Sequence, residues 1–240
     1  MQLSEEEEAI EHKAFTFARS NRQAIANKYT SREVYLPEKD PVSVFMAGSP
    51  GAGKTEASKV LIASTDGNDQ HILRIDADEL RCEFDDYIGA NSYLFQKAVS
   101  ILVERIHDNA LKRQQSFILD GTLSNLNKAI SNIERSIRKG RFVQIIYVYQ
   151  HPLQAWKFVQ AREIVEGRKI LAQTFIEQHF SAWEVVNELK VYFGKKISID
   201  LLLKNIDGSN RVYKANIDRI DNHIGDQYNA DLLAKELNLL

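Results

Sequence analysis

The 240-residue sequence predicts a three-layer α/β domain, with a mostly parallel five-stranded sheet, helices on both faces and a helical lid. Three observations lead there. Short apolar runs alternate with segments of helical periodicity. The first apolar run feeds a glycine-rich loop that opens a helix. Two later runs end in acidic residues, at the carboxyl ends of strands where α/β sheets bind ligands.

Composition narrows the function classes. Thirty-one basic against 33 acidic residues give a net charge of -2, which offers no electrostatic case for a nucleic-acid or membrane partner. No apolar run reaches the length of a membrane span. Met1 to Glu8 is acidic and lacks the apolar stretch of a signal peptide. The one cysteine, Cys82, excludes an intrachain disulfide and a multi-thiolate metal site. A cytoplasmic location is expected.

Taken in order, Ser4 and Glu7 form a capping-box pattern, and Ile10, Ala14, Phe17, Ala18 and Ile25 recur at helical spacing. A linker with Pro37 and Pro41 leads to a buried strand over Val42–Ala47. A helix from Lys54 through Ile62 follows the glycine loop, then a turn at Asp66-Gly67-Asn68-Asp69. His71–Ile75 reads as the second strand and Ser116–Leu119 as the third. Between them an amphipathic helix carries Phe95, Ala98, Val99, Leu102, Ile106 and Ala110 on one stripe. A helix from about Ser124 stops at Lys139-Gly140, and Phe142–Val148 is the fourth strand. Pro152 opens the next helix, and Phe175, Ile176, His179, Phe180, Trp183, Val186 and Leu189 mark another. Ile197–Leu203 is the fifth strand, Arg211–Lys214 a candidate short strand, and the chain from Asn216 reads as one or two helices. Residues 1–40 are then an N-terminal helical extension, 41–205 the core with a lid near 160–172, and 206–240 a C-terminal helical segment packed on it.

The chemistry starts at Gly48-Ser49-Pro50-Gly51-Ala52-Gly53-Lys54-Thr55, which fits the phosphate-binding pattern G-x-x-x-x-G-K-[ST] in a strand–loop–helix context. Glycines bring backbone N–H groups against phosphate oxygens, and the helix start, with Glu56 in its first turn, adds unpaired donors. Lys54 can reach the β- and γ-phosphates and the Thr55 hydroxyl can ligate Mg²⁺. The second strand runs into Asp76-Ala77-Asp78-Glu79-Leu80-Arg81, where helix capping accounts for one aspartate and leaves the other for chemistry. Asp120, closing the third strand before Gly121-Thr122, is placed to support Mg²⁺ and its waters. Arg162 continues the apolar face of Ala155 and Val159, where an arginine calls for an anion. With Arg168, beside Gly167, it can close over a triphosphate, and surface ion pairing is the competing explanation. His179 reads as a core histidine, and Glu104, off the apolar stripe, as a solvated one.

In this order the motifs resemble the zeta toxin family, over about Val42 to His179. The resemblance rests on Phe45-Met46-Ala47 with the phosphate loop, Ile75-Asp76-Ala77-Asp78, Leu119-Asp120-Gly121-Thr122-Leu123, Arg162-Glu163, Gly167-Arg168 and the Phe175–His179 helix. It implies a P-loop kinase fold, ATP and Mg²⁺, phosphorylation of UDP-N-acetylglucosamine, and a separate antitoxin as a candidate partner. It implies that Asp78 is the general base, that Arg81, Glu104 and Thr122 contact the sugar substrate, and that Arg162 and Arg168 bind ATP phosphates. Asp120 stands where the family often has glutamate. Two other readings stay open on the residues alone. One is a kinase for another nucleotide sugar, a nucleoside or an antibiotic. The other is an ATP-binding interaction module with no acceptor, suggested by the extra terminal helices.

Overall fold

Six strands, β1 (Val42–Ala47), β2 (Leu73–Asp76), β3 (Phe117–Asp120), β4 (Phe142–Tyr149), β5 (Ser198–Lys204) and β6 (Asn210–Lys214), form one sheet in the order β2-β3-β1-β4-β5-β6. The computed structural model describes residues 3–65, 71–167, 170–207, 210–225 and 228–237, so the turn expected at Asp66–Asp69 lies outside the described residues. Five strands are parallel, as expected, because helical crossovers return the chain to the same end of the sheet between successive strands from β1 to β5. β3 and β4 flank β1 on opposite sides. The connection order therefore reverses at β1, and the crevice above its carboxyl end is where a ligand fits in such a sheet.

The sheet has six strands where the sequence predicted five. β6 runs back antiparallel on β5. Asp200 of β5 fastens this edge. Its carboxylate accepts the Asn216 N–H at 2.8 Å and bonds from Gln144 of β4 and Tyr213 of β6. That single buried acidic residue ties three strands together and seats the candidate short strand at Arg211–Lys214 in the sheet as β6. The C-terminal reading also changes. Between Asn216 and Glu236 the described chain forms one turn at Asp221–His223 and one short helix, α7 (Ala230–Glu236). The isoleucines Ile217, Ile220 and Ile224 have helical spacing, but the Ile217 N–H goes to the Ile199 carbonyl of β5 at 2.8 Å, so the chain follows the sheet instead of coiling.

The remaining helices are α1 (Glu5–Tyr29), α2 (Lys54–Thr65), α3 (Gln96–Lys112), α4 (Leu126–Ile137), α5 (Pro152–Glu166) and α6 (Ala172–Phe193). The capping box at Ser4 and Glu7 forms, with Glu7 N–H donating to Ser4 Oγ at 3.2 Å and Ser4 N–H to Glu7 Oε2 at 2.8 Å. α1 lies along α3. Ala14, Ala18 and Ala26 are buried, and their small side chains let the two backbones approach. Lys97–Glu11 and Arg105–Gln23 contacts flank that seam. The residues buried on α1 belong to the same apolar cluster as Phe45, Phe95, Leu102 and Phe117. The extension is therefore packed on the main core, and the cost of exposing that cluster keeps it there.

At the opposite end of the sheet from the crevice, Arg141 is buried before β4. It donates to Ser43 Oγ at 2.7 Å, the Val42 carbonyl at 2.9 Å and the Gln115 carbonyl at 2.6 Å. Nearby, His107 of α3 is packed edge-on against Phe45 and Phe117. Burial, with Arg135 and Arg141 adding repulsion, lowers its pKa to about 3. Burial and His151 lower that of His179 to about 4. Both imidazoles are thus neutral in the fold at pH values where the unfolded chain, with a reference pKa near 6.5, takes up protons. Their contribution is unchanged above about pH 6.5 and is lost progressively as the pH falls toward 4. Melting temperature should drop between pH 7 and pH 5. His107→Leu should flatten that drop by up to about 1.4 kcal/mol per pH unit, measured by thermal denaturation at each pH. An unchanged slope would refute the assignment.

Candidate active site

A cavity of about 690 Å³ opens above the carboxyl ends of the strands. The phosphate loop forms its floor. Three glycines there have positive φ, and at two of them the backbone passes close to its neighbours. A methyl group on Gly51 (φ 73°) would lie 2.1 Å from the Ala155 carbonyl oxygen of α5. One on Gly48 (φ 130°) would lie 2.3 Å from the Val148 carbonyl oxygen of β4. No side chain larger than hydrogen fits either place, so the loop is clamped between β4 and α5. Lys54, the first residue of α2, folds back over the loop and donates to the Gly48 and Ser49 carbonyls at 2.9 and 2.7 Å.

Of the expected binding residues, Pro50, Gly51, Ala52, Gly53, Lys54, Thr55 and Glu56 line the cavity. Gly48 and Ser49 lie behind it as the base of the loop, with Ser49 buried. Asp76, Asp78, Arg81, Asp120, Thr122 and Arg162 complete one wall. Parallel register places Asp76 directly beside Asp120, the last residues of β2 and β3. The two aspartates of the Ile75–Asp78 segment divide their work. Asp76 Oδ1 accepts the Asp78 N–H at 2.8 Å and so acts as the local turn cap. Asp78 makes no capping bond and is left 35% exposed to the cavity.

Asp78 is flanked by two arginines. Arg81, whose side chain is buried, donates to Asp78 Oδ1, and Arg162 of α5 reaches within 3.9 Å of Asp78 Oδ2. The cation expected on the lid helix is therefore beside the expected general base. Arg168 lies outside the described residues. Glu104 does not join this group. It lies on the outer face of α3, 57% exposed and 3.6 Å from Lys128 of α4. The helical stripe that buries Leu102 and Ile106 turns it away from the cavity. His179 is buried in the core of α6 and does not line the cavity.

Sequence reading missed Arg74. Its guanidinium lies under the two aspartates, donating to Asp120 Oδ2 at 2.8 Å from Nη2 and at 3.2 Å from Nε, with Asp76 and Glu79 also paired to it. Ser58, one turn into α2, donates to the same Asp120 oxygen at 3.0 Å. Burial raises Asp76 to about 6, with Arg74 pulling the other way. The signal was an arginine inside a buried apolar strand, which needs anionic partners to be there at all. Gln150 and Lys204, at the ends of β4 and β5, also line the cavity and were not singled out. Thr55 and Asp120 offer hydroxyl and carboxylate oxygens at one end of the cavity, a hard donor set that fits Mg²⁺. One Asp120 oxygen already accepts from Arg74 and Ser58, so the pair suits a hydrated ion better than a closed cage.

The family model described as Zeta toxin matches residues 26–218. No curated protein matches the sequence. Among solved structures, a chain of the PezAT chromosomal toxin–antitoxin system of Streptococcus pneumoniae is similar, with TM-score 0.58 and 16% identity over 98% of this chain and 88% of that one. A chain of the AvrRxo1-ORF1:AvrRxo1-ORF2 complex with sulphate ions has TM-score 0.60 and 16% identity, covering 90% and 70%. The same complex with ATP gives TM-score 0.56 and 15% identity over 85% and 65%. At these identities the likeness is one of fold.

Removing the buried counter-charge should be costly. Arg74→Met leaves Asp76 and Asp120 facing each other and should lower the unfolding free energy by about 3–5 kcal/mol, read from urea denaturation. Arg74→Lys should recover only part of this, because an ammonium cannot reproduce the fork that serves both Asp120 and its neighbours.

Proposed function

The chain belongs to the zeta toxin family, and from that premise we propose that it is an ATP-dependent kinase that phosphorylates a hydroxyl of UDP-N-acetylglucosamine. The observation that carries this reading is the meeting, in one cavity, of the phosphate loop with an accessible carboxylate held between two arginines. A nucleotide-binding module would need the loop. It would not need Asp78 displayed at the cavity wall.

In this reading the loop amides and Lys54 hold the β- and γ-phosphates of ATP. Thr55 and Asp120 would hold Mg²⁺, which when bound offsets phosphate charge. Arg81 fixes the rotamer of Asp78. Asp78 takes the proton of the acceptor hydroxyl as its oxygen bonds to the γ-phosphorus. The bond from that phosphorus to the β-bridging oxygen breaks, and ADP leaves with the electron pair. Arg162, on a helix clamped to the loop at Ala155 and Gly51, places positive charge where the transferring group passes. Arg168 is proposed to join it when the lid closes. Thr122, next to Asp120 on the same wall, is proposed to contact the sugar.

A second acceptor class is favoured by one observation. Glu104, which the resemblance assigns to the sugar, faces Lys128 away from the cavity. Another nucleotide sugar, a nucleoside or an antibiotic would use the same base and phosphate loop. An antitoxin protein as partner is part of the proposal too, since the similar PezAT chain comes from a toxin–antitoxin system. No helix among the described residues is long and apolar enough to cross a membrane, and a cytoplasmic location suits an enzyme of this kind.

Incubation with ATP, Mg²⁺ and UDP-N-acetylglucosamine should yield, by mass spectrometry, a product one phosphoryl group heavier. Asp78→Asn should lower kcat about a hundredfold or more with a smaller effect on nucleotide affinity, and Lys54→Ala should abolish turnover. An Asp78→Asn variant that turns over normally sinks the base assignment. Turnover only with an acceptor lacking the UDP group moves the substrate to the second class.

A further inference from the structure

The cavity has two ends, and the reading above uses one. Asp76, Asp78, Asp120, Arg81 and Arg162 gather beyond β2 and β3. At the other end, beyond β4 and β5, the lining residues are Gln150, Lys204 and Asp207. Lys204 is the last residue of β5, and its stem runs over the phosphate loop. A methyl group built on Gly53 would lie 3.2 Å from Lys204 Cε and 3.6 Å from Nζ. Its ammonium is therefore at the loop's closing glycine, immediately before Lys54, and comes from β5, on the other side of β1 from β2, which leads into Asp78.

The position is built. Gln150, 1% exposed, spans the two strand ends, with Nε2 donating to the Asn205 carbonyl at 2.7 Å and Oε1 accepting the His151 N–H at 2.9 Å. This strut fixes the backbone directly after Lys204. Across β5, Lys204 is held by its pairing with Asn210 of β6 at the irregularity between Leu203 and Lys204. A bulge of this kind re-aims a side chain at a strand end. The sixth strand thus has a consequence at the cavity.

We propose that Lys204 is a second phosphate-binding lysine, serving the nucleoside-proximal phosphate of the nucleotide. The assignment rests on the kinase reading and deepens it. The transferred γ-phosphate must face Asp78 and Arg162. A phosphate chain laid along the loop from that end runs across β1 toward β4 and β5, so the phosphate that meets Lys204 is the one attached to the nucleoside. Lys204 then contributes affinity that ATP and ADP share, whereas Arg162 acts on the group being transferred.

Direct binding of ADP and ATP to the full chain, by isothermal titration calorimetry without acceptor, tests this. Lys204→Ala should weaken both nucleotides by a similar factor, about tenfold or more, the scale of one charge-assisted hydrogen bond. Lys204→Arg should restore most of it. The unliganded melting temperature of Lys204→Ala should stay near that of the parent, which separates loss of a contact from loss of fold. Unimpaired ADP binding by Lys204→Ala overturns the proposal, and so does a loss confined to ATP, which would place the lysine at the γ-phosphate. Wild-type protein that takes up neither nucleotide removes the kinase reading itself. Wild-type binding with an indifferent Lys204→Ala removes only this assignment.

Discussion

The close approach of the phosphate loop to its neighbours governs the architecture of the site. Gly48 touches the backbone of β4 and Gly51 that of α5, at separations that admit no side chain. A loop gripped on two sides has little freedom left, so the cost of ordering its amides around an anion is met largely during folding. The same contact fixes α5, and with it Arg162, relative to the loop. One backbone constraint thus sets the phosphate floor and the lid cation together.

Charge in the cavity is arranged by burial depth. The deep pair, Asp76 and Asp120, is brought together by parallel register and held by the Arg74 guanidinium beneath it. Two carboxylates at neighbouring strand ends repel, and a planar cation with several donors lets both remain there. The shallow carboxylate, Asp78, reaches the cavity between buried Arg81 and exposed Arg162, which belongs to a different element of the fold. Deep charges set the frame and shallow ones are available for chemistry. Beyond β4 and β5 the polarity differs, with Lys204 over the loop and Gln150 as its strut.

Much of the fold was legible because its signals are local. The glycine octet, the capping box at Ser4, the apolar strand runs and the stripe through Phe95, Val99, Leu102 and Ile106 each depend on residues a few positions apart, and each forms the expected element. The division of Asp76 and Asp78 between cap and cavity was also within reach, since a turn needs only one cap. Glu104 was legible in its periodicity, which puts it at the surface, while alignment to a family pattern pointed elsewhere. The sixth strand was legible as a candidate short strand at Arg211–Lys214, but its place in the sheet was hidden because Asp200, which fastens it, acts across three strands.

The sequence by itself determined the phosphate loop, the order of strands and helices and the identity of the carboxylates, because these follow from periodicity and from backbone geometry that only certain residues allow. Tertiary structure alone decided which of them meet. Arg74 finds Asp120 across 46 residues, Arg162 finds Asp78 across 84, and Lys204 reaches Gly53 from the far side of the sheet. Such pairings are set by sheet order and by the register of neighbouring strands, which bring distant side chains within a few ångströms for reasons that no short stretch of chain contains.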